Sequence, residues 1–187
     1  EPAALCSVVG FKPTINLISL KGVVPLAWTL DVVGPITKTV TDCAILFSAI
    51  SNQYDLEKDI NYKKDYKLGI LAEYFSPMDR SVKKMYQSAL SLIEENYQCS
   101  ETSSWNIDEV ISTIFLILTA ESAAFLEEPI KKNPDLFGGD VKQFVQMGSE
   151  FSATEYLNAQ RARKLIVESV DQLFVFVHLL LFYRHFL

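Results

Sequence analysis

The chain has 187 residues, a net charge of -6 and 49% hydrophobic residues. Such a length fits one domain with its own core, or a piece of a larger one. The acidic balance excludes the concentrated basic face that nucleic-acid binding needs, and the apolar content excludes a disordered chain. The three cysteines, Cys6, Cys43 and Cys99, form no CxxC pair, so we predict free thiols in a reducing compartment and no zinc site. The first residues lack the pattern of a secretory signal, which predicts a cytoplasmic protein.

The first thirty residues combine short apolar runs with Gly and Pro. Residues Pro2 to Thr14 read PAALCSVVGFKPT, and an apolar run bounded by Gly and Pro predicts a buried strand. Ile15 to Leu20 alternates loosely, which favours a second short strand. Pro25 lies within Val23 to Leu30 and excludes an interior strand there, so we predict an extended loop with Trp28 packed inward.

The next region combines capping signals with periodic apolar residues. Thr39 with Asp42 three residues later predicts a capping box that opens a helix to about Ser51. The polar stretch from Asn52 to Asp65 predicts a surface loop. Tyr66 to Ala72 predicts a short apolar strand.

A strand, a helix and a second strand follow one another between Tyr66 and Ser103. Asp79 is the predicted cap of the helix, whose inward face comprises Val82, Met85, Tyr86, Ala89, Ile93 and Tyr97. Gln98 to Ser103 is the predicted second strand. This order is typical of a βαβ unit with a parallel pair.

Three more helices are predicted in the second half. The most apolar, from Asn106 to about Glu128, contains Ser112 and Thr113. We predict a buried helix there, because its apolar run is too short and too interrupted for the ~20 apolar residues that span a bilayer. A short helix follows from Asp140 to Gly148.

Ser152 and Glu155 form a second predicted capping box, which opens a long helix to about Phe174. The predicted apolar face of this helix comprises Tyr156, Ala159, Ala162, Ile166, Val170 and Leu173.

Two stretches together resemble the amidase signature family. They are PAALCSVVGFKPT and GVVPLAWTLDVVGPITKTVTDCA from Gly22 to Ala44, against a family pattern of roughly GGSIRxPAAxCGVVGLKPT and GVxPLAxSLDxxGPxTRTVxDAA. A weaker resemblance continues to about Phe174 through LGILAEYFSPMDRSVKKMY, the AESAA run and SATEYLNAQRAR. The resemblance implies an α/β fold, a mixed β-sheet with helices on both faces. It makes residues 1–174 an incomplete, middle-to-late section of that domain.

The resemblance also implies a reaction. The family hydrolyses carboxamide C–N bonds, or transfers amides in the relatives that serve aminoacyl-tRNA synthesis, and PLAWTLD looks more like the general amidases. Its nucleophilic serine, a second serine in a cis peptide and a lysine base all belong to segments that the pattern places before Glu1. No residue of this chain is therefore predicted to be catalytic, no cofactor or metal is expected, and the chain as given is predicted to be inactive. The substrate of the full-length parent would be a small-molecule amide.

The chain offers two substitute hydroxyl–amine pairs, Ser7 with Lys12 and Ser19 with Lys21. Ser7 stands where the family pattern has glycine, within the predicted strand, and Ser19 and Lys21 fit a surface turn. We interpret both pairs as structural, because short motif matches carry false positives. A further departure is Ile15-Asn16-Leu17, which replaces a tyrosine-glycine-arginine turn that is common in relatives.

The remaining candidates are a tryptophan, two loop residues and two histidines. Trp28 is a candidate for lining an acyl or amide pocket, although a core position is the commoner one for tryptophan. Thr29 and Asp31 match the family's SLD segment. His178 and His185 are seven residues apart without further ligands, so no metal site is predicted.

The last thirteen residues, Val175 to Leu187, read VFVHLLLFYRHFL and are apolar on every side. Three interpretations are open: a terminal helical turn, a surface that docks on a partner or a second copy, or the product of a shifted reading frame. We favour the shifted frame, because the resemblance weakens after Phe174. Two functions of different class also stay open: a fragment of an amidase, or a non-catalytic remnant that binds a partner through its apolar tail and a sheet edge.

Overall fold

The structure, a computed structural model, describes residues 2–51, 65–71, 79–102 and 106–181. The chain forms two compact units. The first comprises Glu1–Asn61 and Phe115–Tyr156, and the second comprises Tyr62–Ile114 and Leu157–Leu187. The predicted surface loop from Asn52 to Asp65 lies outside the described residues except for Asp65.

The first unit begins with helix α1, a pair of short strands and helix α2. These elements are α1 (Pro2–Leu5), β1 (Val9–Gly10), β2 (Ile36–Thr37) and α2 (Val40–Ser51). β1 and β2 pair antiparallel, with Gly10 opposite Ile36. The chain therefore returns beside its own start after a loop of about 25 residues that joins β1 to β2.

The predicted buried strand from Pro2 to Thr14 is wrong. Pro2–Leu5 is helical and largely exposed, and only Val9–Gly10 is a strand. Proline fits the first turn of a helix, where its missing N–H costs nothing, and alanine has the highest helix propensity. The second predicted strand, Ile15 to Leu20, is also wrong, since the chain there forms turns and bends.

The helix predicted from the Thr39 and Asp42 pattern is confirmed. The Asp42 N–H donates to the Thr39 hydroxyl over 3.1 Å, and that hydroxyl donates to the Asp42 carboxylate over 2.8 Å. α2 buries Cys43 and Phe47, and the ring of Phe47 meets that of Phe11 edge to face at 5.1 Å. The cap fixes the start of α2, and these apolar residues fix it against the N-terminal strands.

The second unit contains a parallel three-stranded sheet. Its elements are β3 (Lys67–Ile70), α3 (Arg80–Glu94), β4 (Gln98–Glu101) and β5 (Leu179–Leu181), and the strand order is β4-β3-β5. β3 pairs with both neighbours in parallel. The predicted βαβ unit is confirmed, although Ala72 and Ser103, at the ends of its predicted strands, lie outside the described residues.

Helix α3 has the predicted cap but not all of the predicted face. The Ser81 N–H donates to Asp79 Oδ1 over 2.8 Å, which confirms Asp79 as the N-cap. Met85 is 74% exposed and Ala89 is exposed, so their assignment to the inward face is wrong. The half-buried residues are Val82, Tyr86, Leu90 and Ile93, which follow a spacing of three or four.

Three further helices and a 3₁₀ turn complete the described chain. They are α4 (Ile107–Lys132), a 3₁₀ turn (Pro134–Leu136), α5 (Gly139–Ser149) and α6 (Ala153–Leu173). All three predicted helices are confirmed within a few residues. α4 buries Ile117, Thr119, Glu121, Ser122 and Ala123, so its middle is a core helix.

Helix α4 is longer than the sequence predicted. It has 26 residues, and an 18-residue stretch of it has a mean hydropathy of 1.7, which makes the helix long and apolar enough to cross a membrane by length and composition. The argument that its apolar run is too short is therefore wrong. Core helices of globular proteins meet the same criteria, and the buried polar residues Thr119, Glu121 and Ser122 fit a core helix.

Helix α6 opens with the predicted capping box, which is confirmed. The backbone N–H and the hydroxyl of Ser152 donate to Glu155 Oε2 over 2.8 and 2.7 Å, and the Glu155 N–H donates to the Ser152 hydroxyl over 3.2 Å. The predicted apolar face is buried or half-buried along the helix, with Ala159 the most buried.

This box predicts a low pKa for Glu155. The hydrogen bonds from the Ser152 hydroxyl and then from its backbone N–H lower the pKa of Glu155. Because the folded pKa lies below the unfolded one, the box adds stability above the unfolded pKa and loses it as pH falls through the folded pKa. We expect an NMR titration to show a lowered pKa for the Glu155 side chain. This pKa should rise in Ser152→Ala and should stay unchanged in the control variant Ser149→Ala. An unchanged midpoint in Ser152→Ala would contradict this assignment.

Part of the apolar C-terminal segment belongs to the sheet. Leu179 and Leu180 of β5 lie opposite Leu68 and Gly69 of β3. A helical turn is therefore wrong for Leu179–Leu181, and residues 182–187 lie outside the described part of the chain. The reading-frame hypothesis stays a prediction, and it now concerns a segment that supplies a paired strand.

Candidate functional site

A tight loop from Leu26 to Asp31 lies at the centre of the second signature stretch. The Asp31 carboxylate accepts the Leu26 N–H over 2.9 Å and the Ala27 N–H over 3.2 Å. The N–H groups of Leu30 and Asp31 donate to the Ala27 carbonyl, each over 2.8 Å. The loop is thus closed by its own carboxylate, and Ala27 is completely buried within it.

A second carboxylate, that of Glu121 on α4, holds the same loop from the core. Glu121 is 1% exposed. Its Oε1 accepts the Thr29 hydroxyl over 2.6 Å and the Tyr156 hydroxyl over 2.7 Å, while its Oε2 accepts the Thr29 N–H over 3.0 Å. A buried carboxylate is tolerated when donors satisfy it, and these three donors do so. We call Glu121, Thr29 and Tyr156 the carboxylate clamp.

The neighbouring serine reinforces the attachment. The Ser122 hydroxyl, fully buried, lies 2.9 Å from the Leu26 carbonyl and 2.7 Å from the Leu118 carbonyl. Helix α4 therefore contacts the loop near both of its ends. The sequence prediction missed Glu121, although a single glutamate within a long apolar helix is a signal that could have found it.

A shallow depression of about 520 Å³ lies beside α1 and β1. Phe11 forms part of its wall and donates its N–H to the Pro35 carbonyl over 3.0 Å. Lys12 is its one charged lining residue among those described. The lining is otherwise apolar and comprises Pro2, Ala3, Ala4, Val8, Gly10, Phe11, Val32, Gly34, Pro35 and Ile36. Such a surface can hold an apolar group, but it brings no acid and base together.

Neither substitute nucleophile has the geometry of one. Within the described residues, no hydrogen bond joins Ser7 to Lys12. The Ser19 hydroxyl accepts the backbone N–H of Lys21 over 3.2 Å, which is a turn and not an approach to the side-chain amine. A nucleophilic serine needs a base within hydrogen-bond reach, so both pairs remain structural in our interpretation.

Ser7 and Asn16 have left-handed backbones, with φ of 53° and 70°. The family pattern has glycine at both places, which explains those glycines, because only glycine adopts positive φ freely. Asparagine tolerates this region better than serine does.

We expect Ser7→Gly to raise the free energy of unfolding by about 1 kcal/mol, because it removes the steric cost of Cβ at a positive φ. Urea unfolding measures the change, and Ser19→Gly, which lacks a positive φ, is the control. A Ser7→Gly variant no more stable than the wild type would contradict this explanation.

The structure places the remaining sequence candidates apart from any metal or nucleophile cluster. Trp28 is 47% exposed, so the prediction that it packs inward is wrong. His178 Nδ1 accepts the Lys67 N–H over 3.0 Å, and its backbone N–H donates to the Lys67 carbonyl, so it belongs to the sheet edge. His185 lies outside the described residues. No group of three metal-ligating side chains occurs in the described part of the chain.

The three cysteines are free thiols, and Cys99 is not activated as a nucleophile. Burial, and then the Glu94 carboxylate, raise the pKa of the Cys99 thiol. A raised pKa keeps a thiol protonated and poorly nucleophilic. Cys6, Cys43 and Cys99 are all free, as predicted.

Comparison with known proteins gives one consistent result. A family model described as amidase matches residues 1–182, past Phe174. The A subunit of the glutamyl-tRNA(Gln) amidotransferase from Halothermothrix orenii is 33% identical over 93% of the chain and 45% of its own length. An amidase from Pseudomonas putida is 28% identical over 92% of the chain and 41% of its own length.

The fold agrees with the sequence comparison. A crystal structure of an amidase superposes with a TM-score of 0.82 at 22% identity, over 91% of this chain and 39% of that one. The chain thus spans less than half the length of the curated relatives it matches.

Proposed function

Because the chain belongs to the amidase family, we propose that it is a section of a hydrolase that cleaves carboxamide C–N bonds. The observation that carries the proposal is the family match over residues 1–182, which includes both signature stretches. The substrate would be a small-molecule amide, the protein would work without a cofactor, and its location would be the cytoplasm.

The proposed chemistry uses a serine nucleophile, a second serine in a cis peptide and a lysine base. We assign all three to segments that the family pattern places before Glu1. The reason is chemical: an amide carbonyl is a poor electrophile, so its serine needs a base at hydrogen-bond distance, and neither Ser7 nor Ser19 has one. The 187 residues then supply the scaffold beside the nucleophile, including the loop held by the carboxylate clamp.

We expect the purified 187-residue chain to release no ammonia from a panel of carboxamides, because neither Ser7 nor Ser19 has a base at hydrogen-bond distance. Ser7→Ala and Ser19→Ala are the matched controls and should behave as the wild type does. Turnover that Ser7→Ala abolishes would overturn the assignment. Sequencing the DNA upstream of the Glu1 codon tests the assignment of the catalytic residues, since an in-frame stretch that codes for the family's GGSIR segment is expected there.

A second candidate is a non-catalytic remnant that binds a partner. It is favoured by α2, which exposes Ile45, Leu46 and Ile50 although it buries Phe47. Exposed apolar residues of this kind mark interaction surfaces. An upstream coding sequence without the family's GGSIR segment would support this candidate.

The third possibility lies within the family: a protein similar to the A subunit of the amidotransferases. The relative from Halothermothrix orenii carries that name, and the amidase from Pseudomonas putida is nearly as similar. A partner contact is part of this possibility. Glutaminase activity in a pull-down with partner subunits would separate it from a self-sufficient amidase.

A further inference from the structure

Strand β5 is joined to β3 by a histidine side chain at the point where their pairing begins. The His178 N–H donates to the Lys67 carbonyl over 2.7 Å, and His178 Nδ1 accepts the Lys67 N–H over 3.0 Å. In a regular parallel pair, a backbone carbonyl would accept such an N–H. Here a titratable ring takes that place, so one residue binds both polar groups of the Lys67 backbone.

The remaining attachment of β5 is short. The register comprises three residue pairs, from Leu68 opposite Leu179 to Ile70 opposite Leu181, and β3 is the one described neighbour of β5. Beside it, Val177 is buried, and the side chains of Val177 and Leu180 lie against Gly69. With so few contacts, one hydrogen bond is a sizeable part of what holds β5 in place.

Protonation of His178 removes this hydrogen bond. In the neutral ring, Nδ1 can accept the Lys67 N–H because the proton is on Nε2. In the imidazolium both nitrogens are donors, so the Nδ1–H then faces the Lys67 N–H and neither has an acceptor. The bond is therefore present when the ring is neutral and is lost as pH falls through the range of about 5 to 8, where imidazole changes its charge.

The titratable neighbours that contact His178 among the described residues both belong to the β3 side. Tyr66 meets the ring edge to face, with 5.8 Å between the centroids, and Lys67 contributes its backbone while its side chain is exposed. The next charged residues along the chain are Asp65 and, before β5, Asp171. Carboxylates ordinarily titrate near pH 4, and phenols and amines near pH 10, so imidazole is the group that changes between pH 5.5 and 7.5.

We propose that His178 is a pH-sensitive latch, which holds β5 on β3 while it is neutral and loosens the strand when it is protonated. The latch is a conformational device of the sheet and is independent of the proposed amide hydrolysis. Its effect is local, because β4 pairs with the other edge of β3 and makes no use of His178.

Native-state hydrogen exchange of the 187-residue chain, followed by NMR, tests the latch. The measured quantity is the protection factor of each amide, in which the intrinsic exchange rate at each pH is divided out. We expect the β5 amides, Leu179–Leu181, to lose protection about fivefold from pH 7.5 to pH 5.5, which corresponds to ~1 kcal/mol, the usual contribution of one hydrogen bond. The β4 amides, Gln98–Glu101, should keep their protection.

His178→Asn is the decisive variant. The asparagine Oδ1 can occupy the position of Nδ1 and accept the Lys67 N–H, but it does not titrate. We expect the β5 protection in this variant to be independent of pH between 5.5 and 7.5. His178→Leu, which has no acceptor, should show the low protection of the acid form at both pH values.

His185→Asn is the matched control, because the chain has two histidines. It should lose β5 protection at low pH as the wild type does, and it supplies the test should a His178 variant fail to fold. Three results would overturn the latch: wild-type β5 protection that does not change with pH, an equal loss in β4, or a pH response that His185→Asn abolishes. A pH response that persists in a folded His178→Asn would also contradict it.

Discussion

Gly148→Ala is expected to lower the free energy of unfolding by about 3 kcal/mol, at the upper end for an overpacked site. A Cβ at this position in α5 collides with the backbone carbonyl of Thr119 in α4 and lies 3.0 Å from the Ala123 side chain. A backbone carbonyl cannot rotate away as a side chain can, so the two helices must separate. Urea unfolding monitored by circular dichroism measures the loss.

The matched control is Gly139→Ala at the start of the same helix. A Cβ there meets nothing within 4 Å. We expect no loss, and a gain of up to ~1 kcal/mol, because alanine favours helix over glycine. Equal stabilities of the two variants would contradict the close approach of α5 to α4.

Glu121→Ala is expected to lower the free energy of unfolding by about 3–5 kcal/mol. The change removes a charged acceptor that three donors share, and each such hydrogen bond contributes roughly 1.5–3 kcal/mol before the structure relaxes. It also leaves a cavity within α4, where Glu121 is 1% exposed. Equilibrium unfolding of the variant and the wild type in urea gives the difference directly.

Glu128→Ala is the control for charge and helix propensity. Its side chain is 70% exposed and pairs with Lys131 at 3.4 Å, so it should change stability by less than about 0.5 kcal/mol. Tyr156→Phe, which removes one of the three donors, should fall between the two at about 1–2 kcal/mol. A cost for Glu121→Ala below that for Tyr156→Phe would mean that the carboxylate clamp contributes little.

Local signals in the sequence predicted the local structure well. The capping residues Thr39, Asp79 and Ser152 all cap the helices expected of them. Each cap depends on a side chain and on N–H groups two or three residues away, so the neighbouring sequence is enough to specify it.

The errors concern segments whose structure depends on distant partners. Pro2 to Thr14 has the composition of a buried strand, but Pro2–Leu5 is helical and only Val9–Gly10 pairs, with residues near 36. An apolar run of this length cannot be told from a helix by periodicity alone. The prediction that Trp28 packs inward is wrong for a related reason, because contacts that hold its loop come from Glu121, more than ninety positions away.

The same reasoning sharpens the meaning of the PAALCSVVGFKPT stretch. It identifies the family, yet its residues form a short helix, a left-handed residue at Ser7 and two residues of strand. They also line the apolar depression beside β1. The stretch is thus a packing element of the amidase scaffold. The family pattern has glycine at the position of Ser7, and the positive φ of this residue explains that glycine.

Covalent labelling of the 187-residue chain with a fluorophosphonate, followed by peptide mass spectrometry, tests the central claim most directly. Such reagents modify a serine that a neighbouring base activates. Since neither Ser7 nor Ser19 has that base, the account predicts no modified serine at reagent concentrations that label an intact amidase of the same family. A stoichiometric adduct on Ser7 or Ser19 would contradict it and would place a nucleophile within the chain.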